Sequence, residues 1–260
     1  MGLWTFLHAV SVLPTFCLML IISLLMRKFL IQKPFEIRML PIKIIAVIMI
    51  LIEIGKQIYS ASIGYNLYHI PLHFCSIFVF ILPIFAFYRG KWEDNLRSVA
   101  CAAMLSLFFG MLVMPNVIYS SSSILSFFGN YLSFHTVFSH NLVIFAFFLT
   151  LSLDLHTPTA SRAENTFVIL FGAAFVIISA TMAHVLQTNF SNFLYSTVGF
   201  VSDLVEELKL LIGELPVTII YTATLCFLHV VLLLLTNCLF KLVCLGKEKV
   251  VGLVTCKEER

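Results

Sequence analysis

The sequence predicts an all-α, polytopic transmembrane helical bundle of seven spans, with the N-terminus outside and the C-terminus inside. Three observations predict it. Of 260 residues, 60% are hydrophobic and only 11% are charged, and the mean hydropathy is +1.03. Soluble domains carry about 25% charged residues, so soluble enzymes are excluded, and a net charge of +3 points to no nucleic acid. Apolar runs long enough to cross a bilayer occur at about 4–26, 44–63, 71–88, 98–118, 130–153, 166–188 and 216–240. Finally, Lys and Arg alternate between connections. The 27–43 connection holds Arg27, Lys28, Lys33, Arg38 and Lys43, and the 89–97 connection holds Arg89, Lys91 and Arg97. Arg162 lies in 154–165, and five more basic residues follow from Lys241, whereas the opposite connections hold only Lys209. This positive-inside bias, fourteen against one, alternates correctly only with seven spans.

The first run has no basic leader and no small-residue cleavage site, which makes it a retained helix and not a signal peptide. The second carries Glu53 and Lys56 near mid-membrane, where each charge costs roughly 2.5–3.5 kcal/mol on insertion scales. Their i,i+3 spacing allows pairing, and Gln57, Ser60 and Gly64 continue the polar stripe. After a connector holding His69, Pro71 marks the start of the third span, with His73 and Cys75 in its first turn and Pro83 expected to kink it. The fourth span ends at Asn116, and the serines at 120–123 read as a loop tip. The fifth span carries two i,i+4 pairs, His135 with Ser139 and Thr136 with His140. His184 lies in the last turns of the sixth, followed by the sequon Asn189-Phe-Ser191. Residues 202–214 read as an amphipathic segment lying on the outer surface, capped from Ser202. The seven spans form one domain over 1–243, with a cytoplasmic tail over 244–260.

Seven cysteines, four of them in apolar runs, are no disulfide framework. Cys17, Cys101, Cys226 and Cys238 read as packing residues, while Cys244 and Cys256 flank the last span where palmitoylation occurs. His8 and His229 are isolated and read as packing.

Depth, counted at about 1.5 Å per residue from each entry point, brings the reactive groups to one leaflet. Glu53, Lys56, His69, His73, Cys75, Asn116, His135, His140 and His184 all fall in the outer half. This convergence predicts a site with Cys75 as nucleophile, His73 or His135 as base, and Glu53, Lys56, His140, His184 and Asn116 contacting substrate. Imidazole titrates near neutrality and can take a thiol proton and return it. No metal or other cofactor is expected, because Pro71 interrupts the His69/His73 helical spacing and no second compact pair exists. Membrane lipids are the expected partners, in a cell membrane or, in a eukaryote, an internal one. Two other readings compete: a proton-coupled carrier using Glu53 and Lys56, and a seven-span receptor, for which the usual signature runs are missing.

Over roughly residues 45–200 the chain resembles the YwaF-like integral membrane family, whose animal branch contains a transmembrane ether-phospholipid acyltransferase. The residues that carry the resemblance are Glu-Ile-Gly at 53–55 with Lys56, Pro-Leu-His-Phe-Cys at 71–75, Tyr-Leu-Ser-Phe-His at 131–135 and the run from Asn189 to Tyr195. The Pro-Leu-His-Phe-Cys-Ser stretch looks like the bacterial branch. The resemblance implies a helical bundle and an acyl-enzyme mechanism through Cys and His, with His73 and His135 carried over. The animal cysteine precedes its histidine in an Asn-Pro-Cys-His pattern; here Leu72 fills that slot and Cys75 is the nearby thiol.

Overall fold

The computed structural model describes residues 4–258 apart from residue 160, with side chains described as far as residue 246. Along the chain run α1 (Phe6–Leu30), α2 (Phe35–Arg38), α3 (Leu40–Ser62), α4 (Phe78–Phe87), α5 (Glu93–Val113), α6 (Pro115–Ile118), α7 (Ser121–Leu125), α8 (Tyr131–Ser152), α9 (Arg162–Leu186), α10 (Gly199–Ile212) and α11 (Glu214–Glu258). No β-strand occurs among the described residues.

Small residues decide where the centre lies. In α5 the run Ser98-Val-Ala-Cys-Ala-Ala103 lets neighbours approach closely, and every residue from Arg97 to Leu107 is buried. Without a hydrophobic drive between helices in lipid, such close approach and interhelical hydrogen bonds hold a bundle together. Accordingly α4, α8, α9 and α11 all pack on α5, while α3 sits between α4 and α8, and α1 lies on α8. Ser106 and Thr236 bond across α5 and α11 at 2.9 Å, and Ser152 and Ser23 bond across α8 and α1 at 2.9 Å. The outward faces stay apolar: Leu18 and Leu24 on α1, Ile44 and Ile58 on α3, Ile177 on α9 and Leu235 on α11 are exposed. A surface of that kind is covered by lipid in a membrane protein.

Six of these helices, α1, α3, α5, α8, α9 and α11, are long and apolar enough to cross a membrane. The expected third span is different. Its first part is a 3-10 turn, Phe74–Ile77, and the α-helix proper has only ten residues. At 1.5 Å per residue that helix covers about 15 Å, half a hydrocarbon core. Pro71 keeps the preceding backbone extended, and Pro83 is accommodated inside α4. Three smaller expectations change as well. The 120–123 serines are no loop tip: the Ser120 side chain caps α7 by accepting from Ser123 N. The amphipathic segment expected at 202–214 begins at Gly199 with Val198 as its cap residue, without a side-chain cap, and ends before Gly213. The tail expected over 244–260 continues α11 as helix to Glu258, and residues 259–260 lie outside the described ones.

The basic connections gather at one end of the bundle and are tied there. Arg27 reaches Asp154 at 2.9 Å and the Ser152 carbonyl, and Arg38 donates to the Leu153 carbonyl at 2.8 Å. Glu36 stands between Lys43 and Arg89, whose charges hold its carboxyl below the usual range. Glu164, buried at the start of α9, accepts from Thr159 and pairs with Lys241 of α11 at 3.0 Å. Beside them His156 is buried, with Nε2 at 2.8 Å from Ser98 Oγ, and burial pushes its pKa down to about 4.

A histidine whose folded pKa lies below its unfolded value binds its proton more readily in the unfolded chain. Stability is therefore complete above pH 6.5 and falls as the pH drops toward 4, by on the order of 3 kcal/mol. His156→Gln flattens this part of the pH profile; thermal unfolding in detergent at several pH values, wild type against variant, measures it.

Candidate functional site

Gly55 and Glu53 dock α8 against α3. A Cβ on Gly55 would stand 2.2 Å from the Tyr131 hydroxyl, so only glycine leaves room for that ring. Tyr131 Oη uses the space to donate to the Ile52 carbonyl at 3.0 Å. One turn further along α8, His135 Nε2 lies 2.9 Å from Glu53 Oε2. Tyr131 and His135 are i,i+4 and face the same helix, which is why both act on α3. The Glu-Ile-Gly and Tyr-Leu-Ser-Phe-His segments therefore meet in space.

Glu53 and Lys56 are 6% and 7% exposed and pair at 2.7 Å, as their spacing predicts. Gln57 adds a bond to Glu53 Oε1 at 2.7 Å and reaches the His69 carbonyl at 2.9 Å. Ser60 Oγ is 2.6 Å from His69 Nδ1. The polar stripe of α3 is thus satisfied by the connector that follows it. Gly64 does not continue that stripe; α3 ends at Ser62, and Gly64 takes φ +91° in the connector, where a side chain would be strained. Burial, with the Lys56 charge second, holds the His69 pKa below its ordinary value.

These groups line one cavity of about 430 Å³, within the range of small-molecule sites. Glu53, Lys56, His69, His73, Cys75, His135 and His140 all reach it. Its remaining walls mix apolar side chains such as Met49, Val79, Leu107 and Ile118 with polar ones such as Ser106, Ser139 and Asn192. Two sequence-predicted residues lie elsewhere. His184 bonds Thr222 Oγ1 on α11 at 2.9 Å and joins α9 to α11, away from the lining. Asn116 sits in α6 between the lining residues Met114 and Val117 without lining the cavity itself.

The histidines divide by what holds their nitrogens. His140 Nδ1 is 2.5 Å from the Thr136 carbonyl, an oxygen that can only accept, so Nδ1 carries the proton. Its Nε2 is buried with no hydrogen-bond partner, and the ring shares the cavity with the Cys75 thiol. His73 has both nitrogens occupied by backbone: Nε2 lies 3.1 Å from the Tyr68 carbonyl, and Nδ1 accepts from Ser191 N at 3.3 Å. It is a clamp between the connector and the chain after α9. Of the three, His140, expected from the sequence as a substrate contact, keeps a ring nitrogen without a hydrogen-bond partner, while both His73 nitrogens are held by backbone and His135 Nε2 stands against Glu53.

Sequence reasoning named the run from Asn189 to Tyr195 but gave it no place in the site. Asn189 Oδ1 accepts from Leu194 N and Tyr195 N at 3.0 and 3.3 Å, and its Nδ2 donates to the Tyr195 carbonyl. The sequon asparagine thus folds its own loop. Ser191 accepts from Phe74 N at 2.8 Å, and Phe190 and Phe193 are fully buried against Ile70 and Leu72. Ser191 and Asn192 take φ of 48° and 65°, a left-handed backbone that non-glycine residues hold only under constraint. His229 was missed: it lines the cavity from α11, its ring against Phe74 and Phe193, and its lone place in an apolar run gave no signal. The Asn-rich composition of 189–195 was the legible hint for the loop.

A family model described as the TMEM164 family matches residues 3–234. No curated protein matches the chain, and no solved structure does.

Gly55→Ala is expected to cost roughly 1–3 kcal/mol through overpacking against Tyr131. Tyr131→Phe removes the oxygen that the new methyl meets, so the double variant should be less destabilised than the sum of the singles. A double-mutant cycle on thermal unfolding in detergent reads the coupling; strict additivity would show that the two residues do not meet.

Proposed function

The chain belongs to the TMEM164 family, a family of transmembrane proteins, and on that premise we propose that it transfers acyl groups between lipids through a Cys75 thioester. The observation that carries the reading is that Cys75 lines the same cavity as His140, whose buried Nε2 has no hydrogen-bond partner, among polar and apolar side chains. A thiol beside an imidazole whose far nitrogen is held by a third group has the arrangement of an activated nucleophile. The motif resemblance to the YwaF-like family and its animal acyltransferase supports the same chemistry, with Cys75 in place of the thiol missing at Leu72.

The steps follow from the tautomer. His140 Nε2 takes the thiol proton, and the sulfur bonds to the ester carbonyl carbon of the donor lipid. Collapse of the tetrahedral intermediate breaks the donor C–O bond, and the leaving alkoxide takes the proton from His140. An acceptor hydroxyl then gives its proton to His140 and attacks the thioester, and the departing thiolate recovers the proton. If water replaces the acceptor, the outcome is hydrolysis. The Thr136 carbonyl stabilises the imidazolium at each stage. Lys56, Glu53 and His135 form a charged patch on the cavity wall suited to a phosphate-bearing headgroup. For topology, the basic connections at one end support seven crossings with an outside N-terminus, the short α4 and its 3-10 start completing the third.

A carrier is the second reading, favoured by the buried Glu53–Lys56–His135 cluster, since intramembrane charges mark ion and proton paths. It requires pH-dependent flux in proteoliposomes.

An electrophilic acyl probe applied to native membranes should label Cys75 well before the other cysteines. His140→Ala should slow that labelling about 10²-fold or more, the usual contribution of a general base, and His73→Ala should slow it only as far as the fold is disturbed. Unchanged lipid acyl transfer by a folded Cys75→Ala protein would overturn the thioester.

A further inference from the structure

Helix α10 is the one long helix among the described residues with no buried side chain. Its Val201, Ser202, Val205 and Lys209 edge is half covered where it rests on α11. A second edge carries Phe200, Leu204 and Leu211, which are 75%, 53% and 77% exposed. At 100° per residue these three lie within about 40° of one another, a narrow apolar stripe. The adjoining edge is acidic, with Asp203, Glu206 and Glu207 exposed, Glu207 bordering the stripe about 20° from Phe200 and the exposed Leu210 lying between Asp203 and Glu206; the helix's only cation, Lys209, is paired to Glu206 at 2.8 Å.

Two features say what covers the stripe. Gly213, at φ +91°, is the only residue between α10 and α11, and α11 exposes Leu215, Ile219 and Ile220 from its first turns. The helix that carries the stripe therefore leads directly into a helix long and apolar enough to cross a membrane, whose first turns are themselves exposed and apolar. On its other flank, Thr197 lines the cavity and Val198 caps α10, so the helix is fastened to the cavity wall.

We propose that α10 is an interfacial helix that seats Phe200, Leu204 and Leu211 in the bilayer at the cavity end of the bundle, and that its acidic edge selects a zwitterionic over an anionic lipid surface. Apolar side chains at the headgroup boundary supply the binding, and an anionic surface repels carboxylates within a Debye length. The proposal is independent of the thioester: it concerns how the cavity-lining loop is anchored, whatever the cavity does.

The test uses the full chain in phosphatidylcholine vesicles with bromine on the upper acyl chain, reading tryptophan quenching. Phe200→Trp, Leu204→Trp, Glu206→Trp and, as a lipid-facing reference, Ile219→Trp are each compared with the parent carrying its natural Trp4 and Trp92. The added signal at 200 and 204 should be quenched as strongly as at 219, and that at 206 hardly at all. Replacing half the phosphatidylcholine by phosphatidylglycerol should reduce quenching at 200 and 204 at low salt, with recovery at high salt, while 219 stays unchanged. Equal quenching at 200 and 206, or none at 200, would overturn the seating. Light scattering then separates a face open to water from one covered by a second copy. Quenching insensitive to phosphatidylglycerol would overturn the lipid selectivity.

Discussion

A carboxylate buried in an apolar bundle has few ways to exist, and Glu53 has found most of them. It accepts from Lys56 and Gln57 on its own helix and stands against His135 of α8. A charge so placed costs several kcal/mol unless paired and hydrogen-bonded, so the partners constrain the backbone that carries them. Lys56 and Gln57 are supplied by sequence proximity. His135 is not, and its arrival sets how α8 lies along α3. The bare Gly55 backbone, two residues on, makes that arrival possible by admitting the Tyr131 ring. Glu53 and Gly55, two residues apart, thereby bring two helices into register, and both helices contribute to the cavity wall.

The cavity's chemistry follows from backbone geometry more than from residue identity. His73 and His140 are the same side chain in the same cavity, yet one is held by backbone at both nitrogens and the other at one only. Each assignment traces to a local chain feature. His140 sits four residues after Thr136, whose carbonyl is in reach as in any helix. His73 precedes the 3-10 start of a helix at a proline-extended segment, where no helix carbonyl is available, and so it serves the loops. The strained loop at Ser191 and Asn192 is held by Phe190 and Phe193 in an apolar socket, which leaves its polar groups turned to the connector and the cavity.

The far end of the bundle is organised by a different constraint. Ion pairs such as Arg27–Asp154 and Arg89–Glu36 are partly exposed and add little stability individually. Glu164 is the exception, being 1% exposed and matched to Lys241, so breaking that pair leaves an uncompensated charge. Reactive groups at one end and tying groups at the other reflect one division, between a cavity and its scaffold.

Much of this was legible in the chain. Composition alone demands a membrane protein, because so many apolar residues have no soluble surface on which to be tolerated. Spacing along one helix fixes the Glu53–Lys56 pair, and counting rise per residue brings the reactive side chains to one depth. Those are one-dimensional quantities, and the sequence is one-dimensional. Lateral position is not. Which of three histidines keeps an unpartnered nitrogen depends on helix rotation, and that is set by contacts such as Gly55 with Tyr131 between residues far apart in the chain. The same reason leaves His184 and Asn116 outside the cavity lining and brings in His229, which had no polar neighbour to announce it. The third segment was read as a full span because hydropathy measures transfer of side chains and is blind to backbone; Pro71 and the demands of His73 and Ser191 shortened its helix. The sequence by itself determined the membrane class, the six long apolar helices and the pairs set by spacing along one helix. Only the tertiary structure decided which groups touch, since contact between helices depends on rotation and packing that no single segment encodes.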